Sequence, residues 1–360
     1  MEKYIAWIFP AANAAFSNRT LLGKPCRAYV EAALQEAGFT VSSPCGEISA
    51  PVLWVREDAP CLTAKALVTL ADAARGGQTA ALFAADNETL LAAAFPADAL
   101  RGLSPDACAA KLSPGNSGFC VVEDLPTVDC AAGYAAAFRL LKQRIAEGHM
   151  ASGVILLEPE QTVIEADVCI GEGTLIYPGN ILQGQTVIGE NCILYPNNRM
   201  QNAVVANETT VENSVLLDCS VGSGTTVGPF AYLRPKTKIG DHCRIGDFVE
   251  VKNSSIDNGT KVSHLTYVGD SDLGKDINLG CGVVFVNYDG KSKNRSVVED
   301  HAFIGCNCNL VSPVRIGKNA YLAAGSTITE DVPEDALYIA RSHGAVKEDW
   351  VKRRKEKGML

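Results

Sequence analysis

Aliphatic residues recur at every sixth position through most of the chain after residue 163. The positions form four runs: Ile164, Ile170, Ile176, Leu182, Ile188, Leu194 and Met200; Val215, Val221, Val227, Leu233, Ile239, Ile245 and Val251; Ile256, Val262, Val268, Leu273, Leu279 and Phe285; and Val298, Ile304, Leu310, Ile316, Leu322 and Ile328. Side chains repeat their direction every 3.6 residues in a helix and every 2 in a strand, so period six fits neither. It predicts about nine stacked coils of three short strands, paired as parallel sheets, with one aliphatic residue inward per strand.

The period is broken by a polar segment between Phe285 and Val298. This segment, 286–297, contains the turn signal Asp289-Gly290. Insertions in a solenoid leave the stack as loops on one face. We therefore expect 286–297 to form a loop that is placed to reach a neighbouring subunit.

The first 150 residues follow a different pattern. They contain 34 alanines, against 12 in the remaining 210 residues. The segment 136–148 has the apolar spacing of an amphipathic linking helix, with Gly148 as its expected stop. The predicted organisation is an α/β domain over 1–135, a linker helix over 136–150, an all-β solenoid over 151–333 and a tail over 334–360.

Composition and charge narrow the classes of function. The net charge of −9 argues against nucleic-acid binding, yet residues 341–360 carry 7 basic and 3 acidic side chains. This tail is either a solvated, frayed end or a contact for a phosphorylated ligand. No apolar run reaches the ~18–20 residues of a membrane span, and Met1-Glu2-Lys3-Tyr4 does not begin an export signal, so we expect a cytoplasmic protein. The 13 dispersed cysteines are expected to be reduced core residues, with no metal site in the solenoid.

Four motifs in the solenoid are more specific than its period. They are Gly228-Pro229-Phe230-Ala231-Tyr232-Leu233-Arg234-Pro235, Gly246-Asp247-Phe248-Val249-Glu250-Val251-Lys252-Asn253, His264-Leu265-Thr266-Tyr267-Val268-Gly269-Asp270 and Asn287-Tyr288-Asp289-Gly290-Lys291. Together they closely resemble the C-terminal half of the GlmU family of bifunctional bacterial enzymes. The resemblance, over about residues 137 to 350, implies a homotrimeric left-handed β-helix with acetyl-CoA sites between subunits. It also implies acetyl transfer to the amine of glucosamine-1-phosphate, for UDP-N-acetylglucosamine and cell-wall precursor synthesis.

The resemblance assigns the acceptor side of the site. His264 matches the family's catalytic base, and acetyl transfer needs such a base because only a neutral amine attacks a thioester. Imidazole is suited to this because its ordinary pKa lies near working pH. Arg234 and Lys252 match the clamp for the sugar phosphate, and Tyr267 and Asn278 match other substrate-binding residues.

The resemblance also assigns an acetyl-CoA side. Asn287 and Tyr288 match a loop pair near the acetyl group, where a neutral donor would stabilise the developing oxyanion. Lys293 and Arg341 match residues that bind the coenzyme A phosphates, and Ala324 matches a residue along the pantetheine arm. Two further acetyl-CoA positions are occupied by Cys281 and Cys306. The family pattern has Ala at position 281 and Ser at position 306. Because a thiol bonds more weakly than a hydroxyl, these two departures put coenzyme A affinity in question.

The N-terminal domain resembles a reduced, Rossmann-type nucleotidyltransferase domain. Its segment 8–16 lacks both glycines and the basic residue of the family's phosphate-binding loop. Asp58 matches a metal-binding aspartate, but no asparagine stands near 128–132 for the second ligand. We therefore expect uridyl transfer to be lost, with Asp58 a surface or turn residue and only a remnant Mg2+ candidate.

Three alternatives stay open. The enzyme is still bifunctional and makes UDP-N-acetylglucosamine from UTP with Mg2+, or it acetylates a different amino sugar. The third alternative is a trimeric scaffold without catalytic activity.

Overall fold

The computed structural model describes residues 5–11, 13–42, 51–100 and 104–359. The predicted features at Met1-Glu2-Lys3-Tyr4 and at Ala12 lie outside these segments. Two compact units divide the chain, the first comprising Met1–Cys169 with Ile181–Thr186 and the second Ile170–Asn180 with Val187–Leu360. No helix in the described segments is long and apolar enough to cross a bilayer.

The first unit contains a six-stranded sheet with helices. Its strands and helices up to residue 151 are β1 (Ile5–Phe9), α1 (Ala14–Ser17), β2 (Thr20–Leu21), β3 (Lys24–Pro25), α2 (Cys26–Glu36), β4 (Thr40–Val41), β5 (Val52–Arg56), α3 (Ala64–Arg75), β6 (Ala80–Ala84), β7 (Leu90–Phe95), α4 (Pro105–Ala109), β8 (Phe119–Glu123) and α5 (Ala131–Ala151). The sheet order is β4-β1-β5-β7-β6-β8. β7 runs antiparallel to both its neighbours, whereas the other pairs are parallel. The predicted α/β class is confirmed.

Two hydrophobic cores hold this sheet. One contains Leu34 of α2, Leu67 of α3 and Leu141 of α5 among its buried residues. The other contains Trp7 and Trp54, and the indole Nε1 of Trp54 donates to Asp106 Oδ1 at 3.1 Å. The alanine-rich sequence thus builds a packed unit rather than an irregular one.

Helix α5 is longer at both ends than the predicted 136–148. At its start the Cys130 Sγ accepts a hydrogen bond from the Gly133 N–H at 3.3 Å. At its end Gly153, at φ +88°, donates to the Met150 carbonyl at 3.1 Å. The left-handed residue that stops the helix is therefore Gly153, and the prediction of Gly148 as the stop was wrong.

From residue 155 the chain coils as a left-handed β-helix, and that prediction is confirmed. The strands are β9 (Ile155–Leu156), β10 (Val163–Ile164), β11 (Cys169–Ile170), β12 (Leu175–Ile176), β13 (Ile181–Gln183), β14 (Val187–Ile188), β15 (Ile193–Leu194), β16 (Arg199–Gln201), β17 (Val204–Val205), β18 (Thr210–Val211), β19 (Val215–Leu217), β20 (Ser220–Val221), β21 (Thr226–Val227), β22 (Tyr232–Leu233), β23 (Lys238–Ile239), β24 (Arg244–Asp247), β25 (Glu250–Lys252), β26 (Ser255–Ile256), β27 (Lys261–His264), β28 (Tyr267–Gly269), β29 (Ser271–Leu273), β30 (Asn278–Leu279), β31 (Val284–Val286), β32 (Ser296–Val298), β33 (Phe303–Ile304), β34 (Asn309–Val311), β35 (Arg315–Ile316), β36 (Tyr321–Leu322), β37 (Thr327–Ile328) and β38 (Leu337–Tyr338).

Three parallel sheets form the walls of the second unit. Sheet I runs from β16 through every third strand to β37, sheet II runs likewise from β14 to β35, and sheet III from β12 to β36, closed by β38. Side chains on one sheet therefore form columns from coil to coil. The two columns that matter below lie on sheets I and III.

The interior follows the predicted period with two corrections. Phe285, Leu310 and Ile328 are fully buried, as predicted. Leu216, and not Val215, points inward, because the steps from Val211 to Leu216 and on to Val221 are one residue short. Ile170 is only partly buried.

The polar loop and the tail both contain regular secondary structure. Loop 286–297 carries an antiparallel bridge between Tyr288 and Lys293. Asp289 holds its turn by accepting from the Lys291 and Ser292 N–H groups and the Asn294 side chain. The tail carries an exposed helix α6 (Trp350–Glu356), in which Arg354 lies over the Trp350 ring.

Candidate functional site

His264 pairs with a carboxylate that the sequence analysis did not single out. It ends β27, and Asp247 stands directly opposite it at the end of β24. The Nδ1 of His264 lies 2.5 Å from Asp247 Oδ1. This hydrogen bond holds the pKa of Asp247 below its ordinary value, so the carboxylate stays ionised. A base whose ring is oriented by a third group is the arrangement used in acid–base catalysis.

Three cations gather near the outer face of sheet I. Arg234 follows β22, lies 5.8 Å from the centre of the Tyr232 ring and is paired with Glu250 at 2.7 Å. Lys252 lies one coil further along, and the amine of Lys293 in the loop lies close to it. The interaction with the Lys252 amine, together with the repulsion between the two charges, lowers the pKa of Lys293. Lys293 was predicted to meet coenzyme A phosphates, but it lies with the predicted sugar-phosphate clamp.

A buried carboxylate, Asp270, joins the two predicted ligand sides. Its Oδ1 accepts from Asn253 Nδ2 at 2.5 Å, and its Oδ2 accepts from Asn287 Nδ2 at 2.5 Å and Lys252 Nζ at 3.4 Å. Burial raises the pKa of Asp270, but these donors outweigh burial and leave the pKa below its ordinary value. Asp270 is the last residue of the motif that begins at His264, but its role could not be predicted from the sequence.

The side-chain amide of Asn287 already makes its hydrogen bonds within the chain. Its Nδ2 donates to Asp270 and lies 3.4 Å from the Tyr267 hydroxyl oxygen, and its side chain is almost wholly buried. Both amide hydrogens thus have partners, so the geometry does not support the predicted donation by this amide to an oxyanion. The neighbouring Tyr288 is exposed, and its hydroxyl donates to the Gly290 carbonyl at 2.8 Å.

Three predicted acetyl-CoA residues form one column at a corner of the solenoid. The register of β30 with β33, extended by two residues, stacks Cys281 on Cys306, and that of β33 with β36 stacks Cys306 on Ala324. Backbone hydrogen bonds continue these steps from the Asn307 N–H to the Cys281 carbonyl and from the Gly325 N–H to the Cys306 carbonyl. Arg341 closes the column, because its guanidinium donates to the Ala324 carbonyl at 2.6 Å.

The same corner continues down to His264. Extending the register of β27 with β30 by two residues stacks His264 on Cys281. Asn278 lies on sheet III between Lys261 and Phe303, whereas Tyr267 lies on sheet I. The structure therefore places His264 in the column of Cys281, Cys306 and Ala324, and it brings Tyr267, Asn287 and Lys252 into a second group.

An apolar strip runs beside the His264–Asp247 pair. Phe230, Phe248 and Leu265 are 52%, 56% and 57% exposed, and the two phenyl rings stack at 5.3 Å. Phe248 directly follows Asp247, and Leu265 directly follows His264. An exposed apolar surface of this kind marks an interaction site.

Asp58 is neither a surface residue nor a free ligand. It lies in the turn after β5, is fully buried, and both its oxygens accept from Arg56, at 2.8 and 2.7 Å. This bond raises the pKa of Arg56. Of the two predicted positions the turn is confirmed and the surface is wrong, because the ion pair compensates burial.

These residues do not fit Mg2+. The guanidinium of Arg56 occupies the side of the carboxylate that a cation would need. Among the described residues no three His, Cys, Asp or Glu side chains come together as a metal site. Asn13, in the segment that lacks the phosphate-loop glycines, donates instead to the Asp129 carbonyl at 3.0 Å.

The cysteines of the described segments are all free thiols. Cys26, Cys61, Cys192, Cys219, Cys243 and Cys308 are buried. The prediction of core positions is wrong for the other described cysteines: three are exposed and three are partly buried, namely Cys130, Cys169 and Cys306, and Cys108, Cys120 and Cys281.

A family model of hexapeptide repeats matches two stretches of the solenoid. The family model described as bacterial transferase hexapeptide (six repeats) matches residues 218–253 and 295–330. Among solved structures, a UDP-N-acetylglucosamine acyltransferase from Francisella novicida shares 20% identity at a TM-score of 0.38, covering 57% of this chain and 74% of that chain.

Curated relatives carry the name "Bifunctional protein GlmU". That of Clostridioides difficile is 50% identical over 236 residues, which is 66% of this chain and 51% of the relative. That of Acetivibrio thermocellus is 54% identical over 226 residues, 63% of this chain and 48% of the relative. The chain thus spans about half the length of these relatives. It is GlmU-like, with hexapeptide repeats, as its motifs predicted.

Proposed function

We propose that the chain is an acyltransferase that moves the acetyl group of acetyl-CoA to the amine of glucosamine-1-phosphate. The product would be N-acetylglucosamine-1-phosphate, for UDP-N-acetylglucosamine and cell-wall precursor synthesis. The observation that carries the proposal is the His264–Asp247 pair, set in the same coils as a cluster of three cations. A base beside a phosphate-binding cluster suits an acceptor that bears both an amine and a phosphate.

The pair supplies the proton chemistry. With Nδ1 hydrogen-bonded to Asp247, His264 is left with Nε2 as the basic nitrogen. Nε2 takes a proton from the substrate amine as its nitrogen attacks the thioester carbonyl carbon. The carbon–sulfur bond then breaks, and the proton passes to the leaving thiolate to give free coenzyme A. The Asp247 carboxylate stabilises the transient imidazolium.

The cation cluster binds the acceptor phosphate. Arg234 offers a planar fork for two phosphate oxygens, whereas Lys252 and Lys293 each offer a point charge. A phosphate dianion between the two lysines relieves the repulsion that lowers the pKa of Lys293. Lys293 is therefore assigned here to glucosamine-1-phosphate, and Tyr267 and Asn278 to the sugar.

The corner column binds acetyl-CoA. Cys281, Cys306 and Ala324 run along one corner from His264 to Arg341, so the pantetheine arm follows the column and the phosphates meet Arg341 and the basic tail. Asn287 and Tyr288 of the loop flank the acetyl group.

The active unit is a homotrimer with sites between subunits. The exposed strip of Phe230, Phe248 and Leu265 adjoins His264 and Asp247, so a second copy seated there reaches the site. Uridyl transfer is absent, because Asp58 is closed by Arg56 and the phosphate-loop glycines are missing.

A thiol-release assay tests the proposal. Acetyl-CoA and glucosamine-1-phosphate are mixed with the protein, and free coenzyme A is followed by a thiol-reactive dye, beside galactosamine-1-phosphate and glucosamine-6-phosphate as acceptors. We expect turnover with glucosamine-1-phosphate that disappears in His264→Ala. Preference for another acceptor contradicts the substrate, and turnover that is equal in His264→Ala contradicts the base. No turnover with any acceptor leaves the scaffold alternative.

A further inference from the structure

Asp270 is the most enclosed charged side chain near the proposed site. It is 7% exposed, and its backbone is at φ 49°, a conformation that aspartate adopts more readily than most residues. Its backbone N–H donates to the Lys252 carbonyl at 3.0 Å, and its carbonyl accepts from the Ser296 N–H at 3.3 Å. The residue is thus fixed between two coils and the end of loop 286–297.

The carboxylate of Asp270 has a partner in each of three segments. Lys252 comes from β25, Asn253 from the corner after it, and Asn287 from the start of the loop. Lys252 is assigned to the acceptor phosphate and Asn287 to the acetyl group. One side chain therefore sets the distance between the binding places of the two substrates.

The space around this network is tight. A Cβ added at Gly269 would meet the Tyr267 hydroxyl first and would lie 2.6 Å from Asn287 Nδ2, so a larger residue there must displace these two side chains. Asn287 also lies 3.4 Å from the Tyr267 hydroxyl, so the network touches a third proposed substrate residue.

We propose that Asp270 is a positioning residue, which holds Lys252 and Asn287 in the arrangement that acetyl transfer requires. The inference rests on the proposed function. It assigns no contact between Asp270 and either substrate. Misplacing a reacting group by about 1 Å can cost ~100-fold in rate, so loss of this anchor should reduce turnover more than binding.

The first test separates kcat from KM. In Asp270→Asn the new amide NH2 replaces one of the two oxygens, so it faces either the donor Asn253 or the donors Asn287 and Lys252, and that part of the network is lost. We expect kcat to fall about 10- to 100-fold, with KM for glucosamine-1-phosphate rising only about threefold. Glu299→Gln removes a carboxylate paired with Arg315 on sheet II, away from these residues, and should retain wild-type kinetics.

The second test does not depend on activity. Lys252 is faced by Asp270, Lys293 and Tyr267, and its pKa is raised by its interaction with the Lys293 amine and then by the Asp270 carboxylate. Trace labelling with acetic anhydride reports the free-amine fraction. Removing the charge of Asp270 should increase labelling of Lys252 at pH 8 by about threefold or more, measured by mass spectrometry. Gly269→Ala should displace Tyr267 and Asn287 together and lower kcat.

The outcomes are distinct. Reduced kcat and faster Lys252 labelling in Asp270→Asn, with an unchanged unfolding temperature, support the inference. Wild-type kinetics or unchanged labelling in Asp270→Asn overturns it. If the wild-type protein has no turnover, the proposed function fails, and unchanged labelling would separately refute the Asp270–Lys252 contact.

Discussion

The two units treat their charged residues in opposite ways. In the first, Asp58 is fully buried and both oxygens are taken by Arg56 two residues earlier. In the second, the His264 side chain is 52% exposed, and Lys293 stands beside Lys252 with a lowered pKa. Lys293 thus keeps a charge that a bound phosphate can compensate, whereas the charge of Asp58 is satisfied within its own unit. This contrast supports acetyl transfer in the solenoid and loss of uridyl transfer in the first unit.

The largest effect is expected from His264→Ala. Removing the base should lower kcat/KM by about 10³-fold, because no other group takes the amine proton. Thiol release measures this. His301→Ala is the matched control, since His301 is also exposed and faces a carboxylate, Asp276, but at 3.8 Å. A control that loses as much activity would contradict the special role of His264.

Asp58→Asn should lower the free energy of unfolding without lowering the rate of acetyl transfer. It leaves Arg56 without its buried counter-charge, which costs about 3–5 kcal/mol of unfolding free energy. Denaturant unfolding, followed through the tryptophans Trp7 and Trp54 of this unit, measures the loss. The acetyl-transfer kcat should stay within about twofold of wild type. A collapse of kcat in folded protein would show that the first unit takes part in the reaction.

The KM values for the two substrates test which of them the cation cluster binds. Arg234→Ala should raise KM for glucosamine-1-phosphate about 10- to 100-fold, as expected for loss of charge-assisted hydrogen bonds. Lys293→Ala should raise the same KM about tenfold and leave KM for acetyl-CoA unchanged. The opposite pattern for Lys293 would restore the coenzyme A assignment made from the sequence.

The pH profile of Asp247→Asn tests the role proposed for the His264–Asp247 pair. The pKa of Asp247 is lowered by His264, so the carboxylate is ionised across the working range. Without that charge the imidazolium loses its counter-ion, and protonation of the base becomes less favourable. We expect kcat to fall about tenfold and the acidic limb of the kcat/KM profile to move to lower pH. A profile that does not move would mean that Asp247 only packs against His264.

The smallest effect is expected at the corner column. Cys306→Ser replaces a weak hydrogen-bonding thiol by a hydroxyl, which should lower KM for acetyl-CoA about threefold. Cys308→Ser is the contrasting variant, because Cys308 is buried in the interior and its substitution should affect stability instead. An unchanged KM in Cys306→Ser would place coenzyme A elsewhere.

The sequence could predict the repeat but only part of the site. The six-residue period predicted the inward-facing residues because each short strand carries one aliphatic side chain toward the interior. It was wrong at Val215, where the coil is shorter and Leu216 faces inward instead. Asp247 and Asp270 were missed because their partners lie 17 or 18 residues away, at a distance set by coil length. The burial of Asp58 depends on packing in a unit with no internal repeat, so no local pattern indicated it.

One paired assay tests the division between the units most directly. A single preparation is given acetyl-CoA with glucosamine-1-phosphate, and separately UTP with N-acetylglucosamine-1-phosphate and Mg2+. Thiol and pyrophosphate release are measured. We predict thiol release that depends on His264 and no pyrophosphate above the background without protein. Pyrophosphate release by this chain, or no thiol release, would contradict the account.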